Sequence, residues 1–208
     1  GFDAIEIHGA HGYLIDEFFW DVMNKRDDRF GGSLPERATF AGDIIKETRK
    51  QVGPDIAIIL RFSQWKQQDY TARLAQTPAE FEAFLKVFVD AGVDVLHASQ
   101  RRYWEAEFPD VDGENGLNTA GWAKKLTGLP SITVGSVGLT GDFEKAFRGE
   151  GATVRKLDDL ESRLDKGEFD LVAVGRALLQ DPDWARKVRE GRISELTNYD
   201  AKSLATLY

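Results

Sequence analysis

Ala4-Ile5-Glu6-Ile7-His8, followed at once by Gly9-Ala10-His11-Gly12-Tyr13-Leu14, is a short strand-like run that empties into a glycine-bounded polar turn. The same unit recurs down the chain. Ile56–Phe62, Val93–Ala98, Ser131–Gly135 and Phe169–Gly175 are further runs rich in Val, Ile, Leu or Ala, the composition of parallel strands buried on both faces. Segments of helical period lie between them. Ser33-Leu34-Pro35-Glu36 fits a capping box, and Thr77-Pro78-Ala79-Glu80 fits again with proline at the first helical position, where no donor is lost. Phe81, Phe84, Leu85 and Phe88 then fall on one stripe, and Gly92 stands where a C-terminal cap belongs. Further helices are predicted over Thr119–Leu126, Gly141–Arg148, Leu157–Asp165 and Pro182–Glu190.

Strand–helix alternation makes this an α/β chain with a parallel sheet and right-handed crossovers. The pattern alone leaves an open doubly wound sheet or a closed barrel. A complete (β/α)8 barrel takes about 250 residues. The 208 residues here hold five strand-like units, which would make a partial barrel with two exposed edges. Gly1-Phe2-Asp3 enters the first strand without a lead-in, and Met23 is the sole methionine. The chain therefore reads as a piece of one longer domain, residues 1–208, that needs either its missing part or another copy of itself.

Composition narrows the function classes. Zero cysteines exclude disulfides, zinc–thiolate sites and iron–sulfur clusters within these residues, which suits a cytoplasmic location. A net charge of −8 argues against a nucleic-acid surface, and no apolar run has membrane length.

Four features carry chemistry. His8 and His11 lie just past a strand's C-terminal end, where barrel enzymes place catalytic groups. They read as a donor pair for one oxygen with the Tyr13 phenol nearby, as a metal site with Glu6, or as plain loop residues. Asn24–Ser33 is a charged loop whose alternating signs suggest internal ion pairs. Arg61 ends the second strand, where a buried charge is costly unless an anion meets it. Gly135-Ser136-Val137-Gly138 and Val174-Gly175-Arg176 close the fourth and fifth strands. If these are the last two strands of a barrel, they form a phosphate site of backbone donors, a helix start and an arginine.

Together these segments resemble the old yellow enzyme family of FMN-dependent oxidoreductases. The resemblance rests on HGAHGYLIDEFF, NKRDDRFGGSLPER, LRFS, VGSVG and VGRALLQDPDW, and runs from Gly1 to about Asn198. It implies a TIM barrel from which the first three strands are absent, about the last five β/α units being present. It further implies reduction of an activated C=C bond in an α,β-unsaturated carbonyl compound, with FMN as cofactor and NADH or NADPH as reductant. On the same basis His8 and His11 bind the substrate's carbonyl oxygen, Tyr13 delivers the proton, and Arg61 lies beside the flavin ring. Ser136, Val137, Gly138, Gly175 and Arg176 would hold the FMN phosphate. Arg101, Arg102, Tyr103 and Trp104 follow the third strand, where the family's loops shape the substrate pocket, with Tyr103 and Trp104 taken as substrate contacts. Two rivals stand beside this reading, a non-catalytic half-barrel and a metal-dependent barrel lyase using His8 and His11.

Overall fold

The computed structural model describes residues 1–142, 144–145 and 148–205. Its strands are β1 (Ala4–His11), β2 (Ala57–Lys66), β3 (Val95–Ser99), β4 (Ser131–Val134) and β5 (Leu171–Val172). Between and after them run α1 (Leu14–Phe19), α2 (Leu34–Val52), α3 (Pro78–Ala91), α4 (Pro109–Asp112), α5 (Thr119–Thr127), α6 (Asp158–Asp165), α7 (Arg176–Gln180) and α8 (Trp184–Arg189). The strands form one parallel sheet in the order β1-β2-β3-β4-β5. Sequential order is that of a barrel wall; a doubly wound sheet reverses direction near its middle.

Helix starts and stops follow the local chemistry. The Glu36 carboxylate accepts from the Ser33 backbone N–H at 2.7 Å, closing the start of α2. Thr77 accepts from the Glu80 N–H at 3.2 Å to open α3, and Gly92 ends it in the left-handed conformation at φ +94°. In the charged loop, Arg26 pairs with Asp28 and Arg29 with Asp43, while Asn24 donates to the Phe18 and Phe30 carbonyls. The expected helix Gly141–Arg148 falls on a stretch in which residues 143, 146 and 147 lie outside the described residues.

The period-two rule sorts the sheet's two faces. Ile7, Leu60, Phe62, Leu96 and Ala98 join Ala38, Ala41, Ile45, Phe81, Phe84 and Phe88 of the helices in one buried core. The other face carries Glu6, His8, Arg61 and His97, with His8 beside Arg61 and Arg61 beside His97 in register. So β1, β2 and β3 each put one face on the core and bring charged or imidazole groups together on the other.

Three strands differ most from expectation. β1 runs on through His11, and β2 through Lys66, because the register slips between them: Gly9 pairs with Phe62, but His11 pairs with Lys66. The extra residues on β2 form a bulge. β5 shrinks to Leu171–Val172, although Asp170 and Ala173 still donate to the Ser131 and Thr133 carbonyls at 2.9 Å. Among the described residues β5, like β1, has one neighbour in the sheet. Among the described residues, no helix is long and apolar enough to cross a membrane.

Candidate active site

Because all five strands point the same way, their C-terminal ends meet on one side of the sheet. A cavity of about 460 Å³ opens there, lined from every strand end: His8, His11 and Tyr13 after β1, Arg61 and Trp65 from β2, and Ser99, Gln100 and Arg101 from β3. Val134, Gly135, Ser136, Val137 and Leu139 follow from β4, and Ala173, Gly175 and Arg176 from β5. Residues 168 positions apart in sequence thus share one wall, His8 and Arg176 among them.

The imidazoles are held differently. His11 sits at φ +66°, a conformation non-glycine residues seldom adopt, fixed by its N–H donating to Ser63 Oγ at 2.9 Å. Its ring stacks on Trp65 at 4.7 Å, and its Nε2 lies 2.7 Å from Ser99 Oγ. The same oxygen accepts from Arg61 Nη2 at 3.1 Å. When Ser99 gives its own proton to His11 Nε2, all three groups are satisfied and the neutral ring carries its proton on Nδ1. Burial, then the Arg61 charge, holds the His11 pKa down to about 3. His8 is more exposed; its pKa is lowered too, first by burial and then by Arg61. The His8 ring lies 5.4 Å from the His11 ring and 5.4 Å from the half-exposed Tyr13 ring.

Two guanidiniums face the cavity without a carboxylate within ion-pair distance among the described residues, Arg61 and Arg176. Burial opposes the charge of both. Arg61 Nε is buried with no partner. Arg176 donates to the Asp142 and Gly141 carbonyls at 2.9 and 2.7 Å, tying the turn after β4 to the start of α7. Among the described residues, the backbone N–H groups of Ser136, Val137, Gly138, Gly175 and Arg176 meet no acceptor in the protein. A Cβ added at Gly175 would touch nothing within 4 Å, so its backbone is open to a ligand. Clustered free donors beside an arginine suit an oxyanion such as phosphate.

Not every expected residue arrives. Gly138 does not line the cavity; it turns at φ +71° against the Trp184 indole, where a Cβ would come within 3.1 Å. Tyr103 and Trp104 are a correction to the sequence reading. Tyr103 N–H donates to Gly135 O at 3.1 Å and Asn118 Nδ2 donates to Tyr103 O at 2.7 Å, and the ring is fully buried in the core. Trp104 lies under the Arg155 guanidinium at 3.7 Å instead. Glu6 turns to His97 Nδ1 at 2.7 Å and not toward His8 and His11, so the three-ligand metal site is not assembled. Ser99 and Trp65 were missed. Their signal was position alone, one at a strand end and one in an unforeseen bulge.

Comparison with known proteins agrees with this fold. The chain is 35% identical over 202 residues to an NADH oxidase of Thermoanaerobacter brockii, covering 94% of this chain and 27% of that protein. It is 35% identical over 186 residues to an NADPH dehydrogenase of Bacillus subtilis, covering 89% of this chain and 48% of that one. The chain thus spans half or less of these relatives. The structure of the old yellow enzyme from Trypanosoma cruzi superposes with a TM-score of 0.63 at 24% identity, over 92% of this chain and 44% of that one, as a partial barrel should. The sequence model of one family matches residues 1–195, and this chain belongs to it: the NADH:flavin oxidoreductase / NADH oxidase family.

Proposed function

We propose that this chain carries the catalytic face of an FMN-dependent oxidoreductase that reduces the activated C=C bond of α,β-unsaturated carbonyl compounds, with NADH or NADPH as hydride source. The carrying observation is convergence: His8, His11, Tyr13, Arg61 and the two donor-rich turns all line one cavity. The remaining barrel strands come from further polypeptide, either the part of the family's chain absent here or a second copy.

FMN fits the residues present. Its phosphate matches the free N–H groups of Ser136, Val137, Gly175 and Arg176, and its electron-rich pyrimidine edge matches the Arg61 guanidinium, whose Nε has no partner. When bound, FMN supplies the hydride acceptor and donor. The protein does the rest. Two neutral imidazoles donate to the substrate's carbonyl oxygen, where negative charge grows as hydride reaches the β carbon. Ser99 and Arg61 hold the His11 ring in the tautomer that leaves Nδ1–H free. The Tyr13 hydroxyl gives its proton to the α carbon and regains one from solvent, to which it is open.

The test uses the flavin-loaded protein. Phenols imitate the developing oxyanion, and His8→Ala should weaken their binding roughly tenfold or more. Unchanged phenol affinity would remove His8 from the role. Titration with FMN that shows no saturable site would favour a non-catalytic half-barrel instead.

A further inference from the structure

The titratable side chains lining the cavity are His8, His11, Tyr13, Arg61, Arg101 and Arg176, and no carboxylate stands among the lining residues. The function proposed above employs every one except Arg101. Its place is well defined. The Arg101 guanidinium carbon lies 5.0 Å from the Tyr70 ring centroid, Tyr70 stacks on Trp65 at 5.2 Å and 9°, and Trp65 stacks on His11 at 4.7 Å. An imidazole and a guanidinium thus stand at the two ends of one row of stacked rings.

The backbone beneath Arg101 is pinned. Ser136 Oγ donates to its carbonyl at 3.0 Å, and Gly135 packs so closely that a Cβ there would come within 2.6 Å of Gln100 O. Among the described residues, the charge is met by one carboxylate, which it shares with a neighbouring arginine. Its carboxylate contact is Asp142 Oδ2, 3.3 Å from Nη2, and Arg102 already holds that oxygen at 2.7 Å. The Arg101 Nε is buried with no partner. Arg101, Trp65 and Gln100 also line a second cavity of about 250 Å³, so they form the wall that the two spaces share.

We propose that Arg101 binds a carboxylate on the alkene substrate, carried on the tail remote from the reacting double bond, so that the site selects acids over neutral enones. The inference rests on the reading that the substrate's carbonyl oxygen meets His8 and His11. A flat molecule with that oxygen at one end and an acid at the other lies across Trp65 toward Arg101, both of which line the cavity. Planar guanidinium and carboxylate then match in geometry as well as charge. The phosphates of the nicotinamide nucleotide are the other source of anionic oxygen, and the test separates them.

Calorimetric titration of the flavin-loaded protein with 4-hydroxycinnamate, its methyl ester and NADPH decides the matter. The phenol takes the place of the substrate oxygen in both organic probes. The acid should bind at least about tenfold more tightly than the ester, and Arg101→Gln should cut that preference roughly tenfold to a hundredfold. Arg101→Lys, which keeps charge without the fork, should retain part of it, and it serves where the glutamine variant does not fold. Equal binding of acid and ester, a preference that survives both replacements, or a loss confined to NADPH would each overturn the assignment. The titration needs no turnover. A protein that binds the acid through Arg101 yet reduces no alkene would sink the reaction and leave the acid site standing.

Discussion

Lys66 Nζ lies 2.6 Å from Asp16 Oδ1, and neither side chain reaches solvent. The second Asp16 oxygen accepts from the Gly12 N–H at 2.6 Å, between His11 and Tyr13. Burial pushes the Asp16 carboxyl up and the Lys66 ammonium down, each opposed by the charge of the other. A buried pair of this kind orders the turn that carries the site more than it adds stability.

Removing one partner should therefore cost more than removing both. Lys66→Met leaves an unpaired buried carboxylate and should destabilise by about 3–5 kcal/mol. Adding Asp16→Asn, which keeps an acceptor for Gly12, should recover part of that loss. Urea unfolding of the two singles and the double variant checks it, and additive losses would show that the pair is not coupled.

Ser99 is the joint between Arg61 and His11. Ser99→Ala should lower phenol affinity several-fold, about 1 kcal/mol, with little change in flavin content. Ser99→Thr keeps the hydroxyl and should restore the affinity. Equal loss in both variants would point to crowding and not to the hydrogen bond.

His11 makes stability depend on pH in a defined direction. Its folded pKa of about 3 lies below the ordinary 6.5, so the unfolded chain takes up the proton first. The stability it contributes is intact above about pH 6.5 and is lost as pH falls toward 3, by up to about 1.4 kcal/mol per unit. His8 is shifted in the same sense. Unfolding midpoints near pH 7.5 and pH 5 should therefore differ less in His11→Gln than in the wild type. An unchanged difference would mean that His11 is not the group responsible.

Gly135 combines φ +140° with the Gln100 carbonyl close behind it. Gly135→Ala should destabilise by about 2 kcal/mol or more, through strain and displacement of the β3 loop. It should weaken FMN binding as well, because the same turn presents Ser136 and Val137. Full stability with full flavin affinity would contradict the close packing.

Strand–helix alternation, the Thr77 and Gly92 caps and the Phe81–Phe88 stripe were all readable from residue types, because capping and amphipathicity are local. His8, His11, Tyr13, Arg61 and the two glycine turns stood out by type and place at strand ends, but spacing alone left donor-pair, metal and loop readings open, and their roles come from the family resemblance. Three-dimensional packing decided the rest. It sank Tyr103 into the core while leaving Arg101, two residues earlier in the same loop, on the cavity wall. It also made the β2 bulge that sets Trp65 on His11, paired Lys66 with Asp16 and brought Ser99 to an imidazole 88 residues away. Local chemistry can name a side chain's abilities, but its neighbours across the sheet depend on strand register, and register is a property of the whole packed wall.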